Sequence, residues 1–325
     1  MFSVSLSAFN RAAVLLAAIL FMSAVWGLGH IPDANLQMIV FTSLVSALLA
    51  DIGPFGSRLR QAVILACYSA AAQFIFSVSG KLPFLQVIVF VMFAYFTFLT
   101  LPDRRAGCIV LLTGCLGISA PPGFLPAAGR SIDILTAIPV IMVVTALGNA
   151  GRQENGETNL APIPYSPYQA MVFSAKLGIA MSISGILQLT QGIWIMMTLL
   201  FINMSKTSDS SGEKLAWQRV FAVPAGILIG GLLLGTFFRI DHRFIWLLPL
   251  VAATGFFILY SGNFFLFSII FMITLTVFSD WQTGAGHRFN FWENFFPRTT
   301  ATWIGAMIEL LSGYPGKYNQ GDASR

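Results

Sequence analysis

Charge is scarce in this sequence. Of 325 residues, only 10% are Asp, Glu, Lys or Arg, against about 25% in a soluble globular domain. That scarcity excludes an ordinary water-facing surface. Cysteine is scarce too: Cys67, Cys108 and Cys115 form an odd set with no paired spacing, each inside an apolar segment. A disulfide framework is thereby excluded, and all three are expected to be small buried apolar residues. His30, His242 and His287 fall in loops at spacings that suit no metal site. Also missing are a Gly-rich phosphate loop ending in Lys-Ser/Thr, HExxH, GxSxG and an Asp-rich pair for Mg²⁺ and diphosphate. ATP hydrolysis and the common membrane-enzyme chemistries therefore have no motif here. No enzyme activity, cofactor or metal is expected. The net charge of +5 does not point to nucleic acid, because the 18 basic residues are scattered singly over short loops and form no basic face.

What the sequence has is apolar length. Hydrophobic residues make up 56% of the chain, and mean hydropathy is +0.78. A helix needs about 20 apolar residues to cross the hydrocarbon core. Such runs lie at about 10–28, 36–51, 59–80, 84–101, 106–119, 131–149, 167–189, 191–205, 217–238, 243–260, 262–280 and 297–312. The first run lacks a clear cleavage site and reads as a spanning helix, not a signal peptide. The expected fold is all-α and polytopic, with about twelve transmembrane helices in the lipid bilayer. The runs at 106–119, 191–205 and 297–312 are short for a full crossing.

Residues 148–167 form the long polar stretch between two groups of six runs. The organisation expected is a transmembrane repeat over 1–150, a cytoplasmic linker over 151–166, a second repeat over 167–312 and a cytoplasmic tail over 313–325. Counted by alternate loops, eleven Lys and Arg fall on one side and six on the other, with Lys176 inside a run. That bias puts both termini in the cytoplasm.

An offset of 159 residues aligns the halves. It sets Arg60 against Arg219, Gly80 against Arg239, and the Pro102-Asp103 turn against Ser261-Gly262. Six spans per half would give two parallel repeats of like orientation. Transporters with such repeats hold the substrate path between the halves.

Ionisable groups inside the runs are the leading functional candidates, because each costs about 2.5–3.5 kcal/mol at a helix centre. Lys176 lies about ten residues into the seventh run. It either binds a substrate anion or pairs with a carboxylate during transport, or else it snorkels to the cytoplasmic interface. Glu309, in the last run, is a candidate proton carrier or an interfacial group. Asp51, closing the second run, is a candidate for coupling or for pairing with Arg58 or Arg60. Asp280 reads as a boundary residue. Thr198, Asn203 and Ser205 fall on the eighth run, and Gln37, Thr42 and Ser43 on the second. Short spans in matching positions are where a transport site is sought, although plain hydrogen bonding between helices is the simpler role. Gly226, Gly230, Gly231 and Gly235 make overlapping small-xxx-small patterns that favour close helix packing. The 30 phenylalanines suit either an aromatic-lined path or lipid-facing bulk.

Two stretches carry a family resemblance. Leu48-Leu-Ala-Asp-Ile-Gly-Pro-Phe-Gly-Ser-Arg-Leu-Arg60, followed by a small-residue span ending at Gly80, resembles the first half of the fusaric acid resistance proteins, the aromatic acid exporter family. Ile193-Trp-Ile-Met-Met-Thr-Leu199, then Gly212, Gln218-Arg219-Val220, Gly226 and Gly230, resembles the second half. The likeness covers roughly residues 10–310. Longer members carry soluble cytoplasmic domains after each half. The linker of about 20 residues and tail of about 13 leave no room for them, so a short, membrane-only relative is expected.

The resemblance implies a multi-pass protein of the bacterial inner membrane that exports aromatic acids or related amphiphiles. Proton motive force would drive it. A periplasmic adaptor (membrane fusion) protein and an outer-membrane channel are the implied partners, and a homo-oligomer is compatible with them. Lys176, Arg60, Arg219, Thr198 and Asn203 are the residues expected to bind substrate, and Asp51 and Glu309 those expected to couple protons. The alternative is a non-transporting scaffold or assembly subunit of an efflux or envelope complex. In that case mutating the intramembrane charges would alter partner binding and leave flux unchanged.

Overall fold

The computed structural model describes residues 6–29, 35–50, 54–80, 82–118, 123–149, 164–189, 191–206, 211–234, 248–282 and 291–313. These residues form twelve helices, and no strand occurs among them. In hydrocarbon every backbone polar group needs an internal partner, which a helix supplies within its own segment.

The first six helices are α1 (Leu6–Gly29), α2 (Asn35–Leu49), α3 (Phe55–Ser79), α4 (Pro83–Thr100), α5 (Arg104–Ile118) and α6 (Phe124–Asn149). The rest are α7 (Pro167–Ile186), α8 (Ile193–Ser205), α9 (Gly212–Leu233), α10 (Leu248–Tyr260), α11 (Phe264–Gln282) and α12 (Phe291–Gly313). Each expected apolar run falls on one of them. Five are long and apolar enough to cross a membrane: Phe55–Ser79, Pro83–Thr100, Phe124–Leu147, Pro167–Ile186 and Gly212–Leu233. Shorter apolar helices include Phe9–Phe21, Ile193–Ser205, Leu250–Leu259 and Phe264–Val277.

Local chemistry sets several boundaries. Ser166 and Gln169 form a reciprocal capping box at the start of α7. The Gln169 N–H donates to Ser166 Oγ at 3.2 Å, and the Ser166 N–H donates to Gln169 Oε1 at 3.1 Å. Asp103 Oδ1 accepts from the Arg105 N–H at the start of α5, and Ser211 Oγ accepts from the Lys214 N–H at the start of α9. The turn before α11 needs Gly262, whose φ is +88°.

The chain divides into two compact units, Met1–Ser174 and Ala175–Arg325, with the division inside α7. In the first unit α3 packs on α5 and α6, α2 packs on α6, and α4 packs on α5. Phe76 lies at its centre, with ring contacts to Phe90 and Phe93. Arg58 is buried, and its Nη1 donates to the Thr145 carbonyl at 2.7 Å. Arg60 is exposed. Where α1, the end of α2 and α6 meet, Val14, Ala18, Ala50 and Val144 form an apolar cluster flanked by Ala17 and Val140.

In the second unit α9 packs on α11 and α12, α8 on α12, and α10 on α11. Shifted by six elements, these four pairs repeat the four named for the first unit; α1 also packs on α2 and α6 there, a packing that α7 does not repeat to the same extent among the described residues. Two contacts depend on missing side chains. A Cβ on Gly226 would come within 2.6 Å of the Ile269 carbonyl, and one on Gly305 within 2.7 Å of the Ile195 carbonyl. Pro224 lies inside α9 and has no N–H to give to the carbonyl of Val220. Trp303 Nε1, on α12, donates to that carbonyl at 3.1 Å.

Candidate functional site

Among the described residues the second unit buries charge at Glu309, Arg219 and Arg298. Glu309 on α12 is 4% exposed and lies between two lysines. Its Oε2 accepts from Lys176 Nζ on α7 at 2.9 Å, and its Oε1 accepts from Lys206 Nζ, just past α8, at 2.5 Å. Each carboxylate oxygen thus has its own ammonium partner. Charge-assisted hydrogen bonds of this kind are about twice as strong as neutral ones. The cluster carries two positive charges and one negative. Gly212, the first residue of α9, abuts it, and a Cβ there would collide with Glu309 Oε1 and come within 2.8 Å of Lys206 Nζ. The carboxylate therefore also sits at the N-terminal end of α9, where helix polarity favours an anion.

Glu309 lies on a continuous inward face of α12. Arg298, Thr302, Gly305 and Glu309 recur at helical spacing and are all buried. They cover about 16 Å at 1.5 Å per residue. The far end of this face holds Arg298, 5.3 Å over the ring of Trp194 on α8. Between the ends, Thr198 of α8 is fully buried against Gly305. The Thr198, Thr299 and Thr302 hydroxyls find no hydrogen-bond partner among the described residues.

The second place is Arg219 on α9, a fully buried guanidinium. Its Cζ is 4.8 Å from the Phe201 ring centroid, and its Nη1 donates to Ser268 Oγ at 3.2 Å. Nε and Nη2 have no hydrogen-bond partner among the described residues. No ion pair to Arg219 occurs among the described residues. Phe201, Phe267 and Phe271 pack ring on ring beside it. A buried charge without a counter-charge costs several kcal/mol in proteins.

The sequence-predicted residues are therefore distributed unevenly. Lys176 and Glu309 are brought together. Thr198 lies on the seam between α8 and α12. Asn203 is buried at 3% exposure, but it follows Trp194 by nine residues, which puts it on the opposite face of α8. Arg219 is in the same unit, deep in the packing of α9. Arg60 is exposed and is not brought to these groups, and Arg58, two residues earlier, is the buried arginine of α3. Asp51 lies outside the described residues, as do the side chains of Gln37 and Asp280. Thr42 and Ser43 are buried on α2 in the first unit. Cys67 is exposed, not buried as expected, while Cys108 and Cys115 are buried.

Sequence reasoning missed Lys206 and Ser268. Lys206 directly follows a span and reads as a loop charge. Its partner is 103 positions away, and only the fold makes that pairing visible. No group of three or more metal-ligating side chains occurs among the described residues.

Residues 179–312 match the family model described as fusaric acid resistance protein-like. This match spans the helices that carry Lys206, Arg219 and Glu309. No curated protein and no solved structure matches the chain. The second half is thus similar to fusaric acid resistance protein-like domains, and its apolar helices are those of a multi-pass membrane protein.

Proposed function

We propose that the protein is a proton-driven exporter of aromatic acids or related amphiphilic anions in the bacterial inner membrane. The observation that carries this reading is the buried Lys176–Glu309–Lys206 cluster. Its buried ammonium groups, set in an apolar unit, are suited to an organic anion. An incoming carboxylate takes Lys176 from Glu309, while Lys206 keeps Glu309 neutralised. On the outward side Glu309 takes up a proton as the anion leaves, and it gives that proton up on the cytoplasmic side before the next anion binds. Glu309 is the coupling group, and Thr198 and Arg219 add substrate contacts. One charge moving through 100 mV supplies about 2.3 kcal/mol, so one or two protons per cycle suffice for a large outward gradient.

The matching neighbour pairs in the two units support twelve crossings in two like-oriented six-helix repeats, with both termini cytoplasmic. A periplasmic adaptor and an outer-membrane channel complete the export route.

The test is counterflow in proteoliposomes with a panel of aromatic acids and an imposed pH gradient. Native protein accumulates labelled substrate. Lys176→Ala and Glu309→Gln insert normally and lose at least 90% of that accumulation. Normal flux in both variants, with altered adaptor capture, would replace the transporter with a non-transporting assembly subunit.

A further inference from the structure

We infer that Arg219 is the residue that reads the transported anion, and that it does so through one edge of its guanidinium. That edge takes a planar carboxylate side-on, and the ring bearing the carboxylate lies among Phe201, Phe267 and Phe271. The assignment rests on the transport reading above and gives its substrate a binding geometry.

A guanidinium offers a carboxylate two kinds of two-point contact. One uses the two terminal nitrogens, and the other uses Nε with the nitrogen on the same side, Nη2. Here Ser268 Oγ accepts from Nη1 at 3.2 Å, which fixes the group's rotation and occupies one arm of the first kind. Nε and Nη2, both donors of the second kind, are without a hydrogen-bond partner among the described residues. Arg219 has no exposed surface, so bulk water does not satisfy them. A single ammonium cannot reproduce the two parallel N–H donors of this fork.

The surroundings select the rest of the ligand. Phe201 covers one face of the guanidinium at 4.8 Å and leaves the in-plane edge to an anion. Phe201 lies against Phe271 at 4.8 Å between centroids, and Phe267 stacks on Phe271 at 5.5 Å. Aromatic rings accept another ring edge-to-face or offset at 4.5–7 Å. The glycines on the same helix keep α9 against α11: a Cβ on Gly226 would meet the Ile269 carbonyl, and one on Gly230 would lie 3.0 Å from Thr276 Cβ. This close approach holds Ser268 of α11 against Arg219. Ser268 is a positioning residue, and Arg219 is the one that touches the ligand.

Benzoate is the probe, with benzamide as its uncharged isostere and acetate as the carboxylate without a ring. Binding to the full chain in nanodiscs is measured by calorimetry. Native protein is expected to bind benzoate at least tenfold more tightly than benzamide or acetate. Arg219→Lys, with unchanged helicity and monodispersity, weakens benzoate at least tenfold and leaves benzamide unaltered. Ser268→Ala weakens benzoate three- to tenfold. Arg219→Lys that binds benzoate within threefold of native overturns the assignment, as does a native protein that fails to discriminate benzoate from benzamide. Should Arg219→Lys not fold, the ligand discrimination and Ser268→Ala decide the matter. Benzoate binding through Arg219 without counterflow of any acid removes the transport reading and keeps the site. Counterflow at the native rate in Arg219→Lys keeps transport and removes the site.

Discussion

The two units treat the same kind of junction in opposite ways. In the first, α1, the end of α2 and α6 meet through Val14, Ala18, Ala50 and Val144, with Ala17 at the edge. In the second, α7, the end of α8 and α12 meet through Lys176, Lys206 and Glu309. Methyl groups fill one junction where ion pairs fill the other. The apolar version is the cheaper way to join three helices, since well-packed hydrophobic residues often replace buried ion pairs without loss of stability. The charged version thus has no structural necessity, which argues that the second unit keeps it for its chemistry.

Five experiments break or sharpen this contrast. Glu309→Ala leaves two lysines facing each other and is expected to cost about 3–5 kcal/mol of unfolding free energy, read from denaturant titration in detergent. Val144→Glu in the first unit forces a lone carboxylate into the methyl cluster, at about 3 kcal/mol. Adding Ala17→Lys to it should recover about 0.5–3 kcal/mol in a double-mutant cycle. No recovery would mean that the two junctions are not comparable in shape.

Arg58→Ala removes a buried hydrogen bond from a charged group to the Thr145 carbonyl, worth about 1.5–3 kcal/mol, and should lower the denaturation midpoint without affecting flux. Gly226→Ala drives a methyl into the Ile269 carbonyl at a cost of about 1–3 kcal/mol. Gly129→Ala in the first unit, with nothing within 4 Å of the new methyl, should be neutral or stabilising. Arg60→Ala sits at the bottom of the scale. It is expected to change stability by less than about 0.5 kcal/mol and to leave counterflow intact.

Much of the fold was legible because hydrophobic length is a strong signal. Each apolar run became a helix. The clearest differences lie at starting points, such as α6, which begins at Phe124, not near 131. Pro126 lies in the first turn of this longer helix, where proline is tolerated. Glu309 and Lys176 were visible as costly groups in apolar surroundings. Their pairing was not, because 133 positions separate them and nothing local relates them. The offset of 159 residues singles out Arg60, not Arg58, as the counterpart of Arg219. Two positions along a helix turn a side chain by about 200°, so only one of them faces α6, and the rotation of α3 decides which.

Pro224 sets a mechanical condition on this domain. The carbonyl that the proline leaves without a donor is held by Trp303, so the point where α9 bends most readily is fastened to α12. Arg219 stands five residues before that point, and Glu309 six residues beyond the tryptophan. A swing of α9 about Pro224 would therefore have to break or carry along this hydrogen bond to α12.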